Sequence, residues 1–146
     1  MMKTFGSGGN LQPVTVVLVT DQFGCKRLIT AGRRLADRDG TRLEVVNVAS
    51  PGVERNPEAI EYLFQVSREN DAAMTIHYSD APARFLGELI QEKCPAAVVT
   101  GLPGQGSTLL HRIWMRFENI SFFTVDHAGE LRPVTIADRV VSGQPV

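Results

Sequence analysis

The chain has 146 residues, enough for one domain and too few for two ordinary ones. With 43% hydrophobic and 21% charged residues it can bury a core, which excludes a disordered chain, a collagen-like repeat and a coiled coil. Fifteen Lys and Arg against sixteen Asp and Glu leave a formal net charge of −1, without the positive excess that a general nucleic-acid binder uses to displace counterions.

The first element in chain order is Val14 to Thr20, nearly all apolar and mostly β-branched, which predicts a strand buried on both faces. After Asp21-Gln22-Phe23-Gly24 the period becomes helical: Cys25, Leu28, Ile29, Gly32, Leu35 and Ala36 share one face. Gly32 on that face lets the helix backbone approach the sheet. Asp39-Gly40 stops this helix, and Leu43 to Val48 is the second strand. Asn56-Pro57 starts the next helix, because Asn caps and Pro at the first position gives up a donor that has no partner there. Its expected apolar face is Ile60, Leu63, Phe64 and Ser67. Ala73 to Tyr78 alternates, with Met74, Ile76 and Tyr78 on one side, as in an edge strand. Phe85, Leu86, Leu89 and Ile90 are the stripe of a third helix ended by Pro95, and Ala96 to Thr100 is a fourth strand. A glycine-rich turn leads to a helix with stripe Leu110, Ile113, Trp114 and Phe117. Ile120 to Val125 is the fifth strand, and Val134 to Ile136 is strand-like.

This alternation predicts an α/β fold, a five-stranded parallel sheet with helices on both faces. The expected division is a flexible N-terminus at 1–13, an α/β domain at 14–126 and a C-terminal tail at 127–146. The longest purely apolar run, Val16 to Val19, is too short to cross a bilayer, and Met1 to Pro13 lacks the apolar stretch of a secretory signal. Two cysteines, Cys25 and Cys94, and three scattered histidines, His77, His111 and His127, have neither disulfide-framework nor metal-ligand spacing. A cytoplasmic protein with no nucleic-acid or membrane partner is expected.

Ligands of open parallel sheets bind at the carboxyl ends of the strands. The residues there are Thr20 and Asp21, then Val48 to Ser50, then Gly101 to Thr108. The last segment places three glycines, Gly101, Gly104 and Gly106, and the hydroxyls of Ser107 and Thr108 between a buried strand and a helix start. Such a loop cradles an anion on backbone N–H groups. It also reads as a plain tight turn capped by Ser107. Ser107 stands where a phosphate-loop NTPase has its lysine, and the β- and γ-phosphates would lose their main cation, which speaks against that class. Asp21 suits a ribose hydroxyl or a water-bridged Mg²⁺, or equally a helix cap. Cys25 begins the apolar stripe and is read as a buried, unreactive thiol; Arg112 and Arg116 are read as solvated helix-surface residues.

On these residues the chain resembles the universal stress protein family, most of all the divergent branch found as a module in potassium-sensing kinases. The resemblance runs from about Val14 to Val125: Thr20-Asp21 is similar to the adenine- and ribose-binding turn, Asn47-Val48 to the adenine-contacting strand end, and Val98 to Gly104 to the strand followed by Gly-x-x-Gly. Gly106-Ser107 resembles the closing phosphate-binding pair, but Gln105 alone separates it from Gly104, so part of the wall around a triphosphate is missing. The resemblance implies a Rossmann-like three-layer sandwich with strand order 3-2-1-4-5. It also implies a regulatory domain in stress response rather than an efficient enzyme, with at most slow ATP hydrolysis. The implied ligand is ATP (with Mg²⁺) or AMP, held by Thr20, Asp21, Val48, Gly101, Gly104, Gly106, Ser107 and Thr108. A homodimer through the fifth strand is implied too, beside a possible regulatory protein partner. The alternative is a nucleotide-free dimeric interaction module with a structural glycine loop. A tail folded back over its own fifth strand would satisfy the same backbone groups and leave a monomer.

Overall fold

The computed structural model describes residues 12–52, 54–103 and 109–141. Six strands, β1 (Val14–Val19), β2 (Arg42–Ala49), β3 (Ala73–Tyr78), β4 (Ala97–Gly101), β5 (Ser121–Val125) and β6 (Leu131–Pro133), form one sheet in the order β3-β2-β1-β4-β5-β6. The first five are parallel, in the expected 3-2-1-4-5 order, and β6 runs antiparallel to β5. The helices are α1 (Lys26–Asp39), α2 (Pro57–Glu69), α3 (Pro82–Lys93), α4 (Leu109–Arg116) and α5 (Ile136–Val141).

The strand-forming residues dictate two cores, one on each face. In β1 the side chains of Val17 and Val19 join Leu28, Ile29 and Leu35 of α1 and Leu63 and Val66 of α2. Val14 and Val16 point the other way, toward Leu86, Leu89 and Ile90 of α3 and Ile113 and Trp114 of α4. Period-2 alternation in the strands and period-3.6 stripes in the helices therefore agree on which face each residue serves. Gly32 does what its place on the stripe predicts. A Cβ there would lie 2.5 Å from Val17 Cγ2, so α1 sits on β1 at a distance only glycine permits. Gly40 closes α1 in the left-handed region, φ 71°, which other residues adopt at a cost. At the next helix start Asn56 Oδ1 accepts from the Ala59 N–H at 3.2 Å, the expected cap.

Two sequence expectations are corrected. The buried face of α2 is Ala59, Leu63, Val66 and Ser67, while Ile60 and Phe64 are only half-buried. The helix turns its stripe toward α1 and the sheet; among the described residues no strand lies beyond β3 to cover its outer side. Secondly, the sheet has a sixth strand, and it lies at Leu131–Pro133 rather than Val134 to Ile136; Ile136 instead opens α5. Phe123, Thr124 and Val125 pair with Pro133, Arg132 and Leu131, and the Val134 N–H donates to the Phe122 carbonyl at 2.8 Å. The fifth strand is therefore not an edge, and pairing two fifth strands would first have to displace β6. The tail covers β5 because that strand carries Phe122 and Phe123 on opposite faces, and leaving it open would expose apolar side chains and backbone together.

Candidate functional site

The order of strands makes β1 and β4 the pair between which crossovers diverge, the place where a crevice opens at the carboxyl ends of a parallel sheet. Thr20 and Asp21 leave β1 there, Gly101 closes β4, and Val48 lies at the same end of β2. The fold thus brings Thr20, Asp21, Val48 and Gly101 to one end of the sheet. Gly104, Gly106, Ser107 and Thr108 lie outside the described residues. Thr20 is exposed, with its Oγ1 3.6 Å from the Cys25 sulfur, and Cys25 itself is buried. Val48 packs its side chain on the α3–α4 core. Arg112 and Arg116 are exposed on α4, Arg116 bonding Gln91 Oε1 at 2.8 Å.

Asp21 is the centre of a closed polar cluster. One carboxylate oxygen, Oδ2, accepts from Arg55 Nε at 2.6 Å and from the Asn56 N–H at 3.2 Å. The other, Oδ1, accepts from Asn47 Nδ2 at 3.0 Å and Arg55 Nη2 at 3.3 Å. Asn47, 1% exposed at the end of β2, also donates to the Val19 carbonyl at 3.0 Å and accepts from Arg55 Nη2 at 3.0 Å. Four donors fill a carboxylate's four lone-pair directions. The cluster fastens the loop after β2 to the end of β1, and through Asn56 it sets where α2 begins. Arg55 lies over Tyr78 with 5.6 Å from its guanidinium carbon to the ring centre. Its Nη1 is buried and has no partner among the described residues.

Sequence reasoning singled out Asp21 and missed Arg55. The available signal was a lone arginine directly before the Asn-Pro helix start, in a loop returning to the same end of the sheet as Asp21.

Among the described residues nothing calls for glycine at position 101. Its φ is not in the left-handed region, and a Cβ there would meet only Leu28 Cδ2, at 3.9 Å, an ordinary contact. Glu44, His77 and His111 are held in contacts within the fold. Glu44, which burial alone would push up, is held below the usual carboxylate range by ion pairs with Lys93 at 2.8 Å and Arg42 at 2.7 Å. His77 lies against Phe85 with ring centres 5.0 Å apart, and His111 meets Trp114 edge-on. Among the described residues no three His, Cys, Asp or Glu side chains form a group able to hold a metal, and no helix is long and apolar enough to cross a membrane.

No protein-family model and no curated protein matches the sequence. Solved structures do resemble it. A protein of the universal stress protein family from Burkholderia pseudomallei superposes with a TM-score of 0.53 at 14% identity, over 78% of this chain and 96% of that one. The universal stress protein from Archaeoglobus fulgidus, in complex with dAMP, gives 0.51 at 16% identity, over 72% of this chain and 90% of that one. A deacetylase of the teicoplanin biosynthetic pathway gives 0.51 at 13% identity, but this chain spans only 63% of its length. The fold is held in common with all three, and the match accounts for nearly the whole of the smaller two. The chain has the fold of the universal stress proteins.

Proposed function

We propose that this chain is a universal-stress-protein-like regulatory domain that binds an adenine mononucleotide of the AMP class in the crevice between the ends of β1 and β4. The observation that carries this reading is Gly101. It closes β4 at the strand-order reversal, and among the described residues neither backbone strain nor packing calls for glycine there. What a missing side chain leaves is room for a ligand to approach the backbone closely. The dAMP bound by the Archaeoglobus fulgidus protein supports the ligand class.

Thr20 contributes an exposed hydroxyl at the same crevice, and the end of β2 at Val48 contributes backbone for an adenine edge. Asp21 contributes differently from the role the resemblance implies. With all four lone-pair directions taken, it has none left for a ribose hydroxyl or a magnesium-bound water. It positions Arg55 and the loop instead, and that favours a mononucleotide over a metal-bound triphosphate. The filled carboxylate also favours the second reading, a nucleotide-free interaction module in which the cluster is purely a fastener.

Thermal melts separate the two. AMP at about one hundred times its dissociation constant adds about 2.7 kcal/mol to stability, a clear rise in Tm. Gly101→Ala leaves the ligand-free Tm unchanged, since its methyl has room, and abolishes the rise. No shift with AMP or ATP at saturating concentration leaves the interaction module as the function.

A further inference from the structure

We propose that β3 is a self-association edge, through which two copies of this chain join antiparallel about a two-fold axis to continue the sheet. The strand is six residues long, AMTIHY, and among the described residues it pairs with β2 along one side only. Soluble proteins blunt such an edge with lysine, proline, a bulge or a very short strand. Ala73–Tyr78 contains no charged residue and no proline, and its register with β2 runs unbroken from Ala73 to Tyr78. The surface beside it is a groove lined by Ile60, Phe64, Ile76 and Tyr78 together with Glu61 and Arg68 of α2, and by Arg55 and Pro57 where that helix begins. Tyr78 is 78% exposed.

The groove is complementary to itself, and this fixes the occupant as a second copy. Two strands related by a two-fold axis normal to the sheet keep their faces, so an axis at Ile76 sets Ile76 against Ile76 and Met74 against Tyr78 on the α2 side. Thr75 then meets His77 on the other side. Neighbouring strands are about 4.8 Å apart, so the two copies of α2, each above its own β2–β3 pair, come to lie about 10 Å apart, which is helix-packing distance. They run antiparallel with Phe64 at the centre. Glu61 and Arg68 stand on either side of Phe64, seven residues or about 10 Å apart along the helix. The axis therefore brings Glu61 of each copy to Arg68 of the other. Both side chains are exposed, and neither has an ion-pair partner among the described residues. A foreign partner would have no reason to match this alternation of acid, apolar centre and base; a second copy matches it by symmetry.

The test is light scattering on the intact chain between about 1 and 200 µM, a range that spans ordinary weak-to-moderate homodimers. The wild type is expected to dimerise. Glu61→Arg and Arg68→Glu each weaken the dimer by about tenfold or more by setting like charges face to face, and the double reversal restores it. Tyr78→Lys, which puts a charge on the edge and removes the ring beneath Arg55, gives a folded monomer. A wild type that stays monomeric to the top of the range overturns the proposal. So does a dimer indifferent to both single reversals, or a double reversal that fails to rescue.

Discussion

The two edges of the sheet are handled in opposite ways. At one end β6 is three residues long, its Arg132 and Pro133 are exposed, and α5 follows at once. Short length, a charge and a proline are the means by which edges are made unattractive to other strands. At the other end β3 has twice the length and none of these features. The contrast teaches that membership of one sheet does not make two edges alike: among the described residues the tail covers β5, and no element covers the outer side of β3.

Removing the cover should have the largest effect. Without residues 127–146, β5 loses its ladder to β6, and Arg139 no longer bonds the carbonyls of Trp114, Phe117 and Ile120 at 2.8, 3.2 and 3.1 Å. A chain ending at Asp126 is expected to melt about 10 °C lower or more. It should also self-associate through β5, read by light scattering as species larger than the intact chain forms. A truncated chain that melts and scatters like the intact one would show that β6 is no real cover.

A finer cut at the same edge is Arg139→Ala. The guanidinium satisfies the end of α4 and the approach to β5 while lying over Phe122, its central carbon 5.4 Å from the ring centre. Losing these charge-assisted bonds should cost about 1–3 kcal/mol in a denaturant titration, with no change in oligomeric state. The corresponding change at the open edge, Tyr78→Lys, should do the reverse and abolish assembly while the chain stays folded.

The smallest effect is set by pH at the turn that carries the chain from β5 to β6. Asp126 Oδ1 accepts from the Ala128 and Glu130 N–H groups, both at 2.9 Å, and Arg132 lies 3.3 Å from Oδ2. The Glu130 N–H holds this carboxyl below the usual aspartate range; slight desolvation opposes it, and Arg132 and the Ala128 N–H add to the lowering. A carboxyl lowered on folding gives a contribution that is complete above its unfolded value, about pH 4, and is lost as pH falls through the lower folded value. Amide exchange at Ala128 and Glu130 should therefore quicken relative to other amides on acidification below about pH 4. In Asp126→Asn that acid-dependent change should vanish.

Much of this molecule was legible one element at a time. The apolar run of β1, the six-residue stripe of α1 and the Asn-Pro start of α2 each name a local structure, because strand alternation, helix period and capping act within a few residues. The stripe of α2 was read half a face away, since Ile60 and Phe64 are apolar but lie past the last strand. The tail was harder still. Leu131–Pro133 has an arginine and a proline and reads poorly as a strand, and it becomes one only because β5 offers it a ladder.

The strand order rested on the family resemblance as well, but the sequence by itself determined the parallel sheet, the two-sided core and the end of the sheet at which Thr20, Asp21, Val48 and Gly101 collect. Those follow from hydrophobic periodicity and right-handed crossovers, which need no knowledge of particular side-chain contacts. Only the tertiary structure decided that Asp21 is already satisfied. Arg55 is 34 residues further along the chain, and it meets Asp21 because β2 lies beside β1 and returns the following loop to the same end. Hydrogen bonds have directions and a limited number of acceptor sites, so whether a carboxylate is free for a ligand depends on what the fold has placed around it.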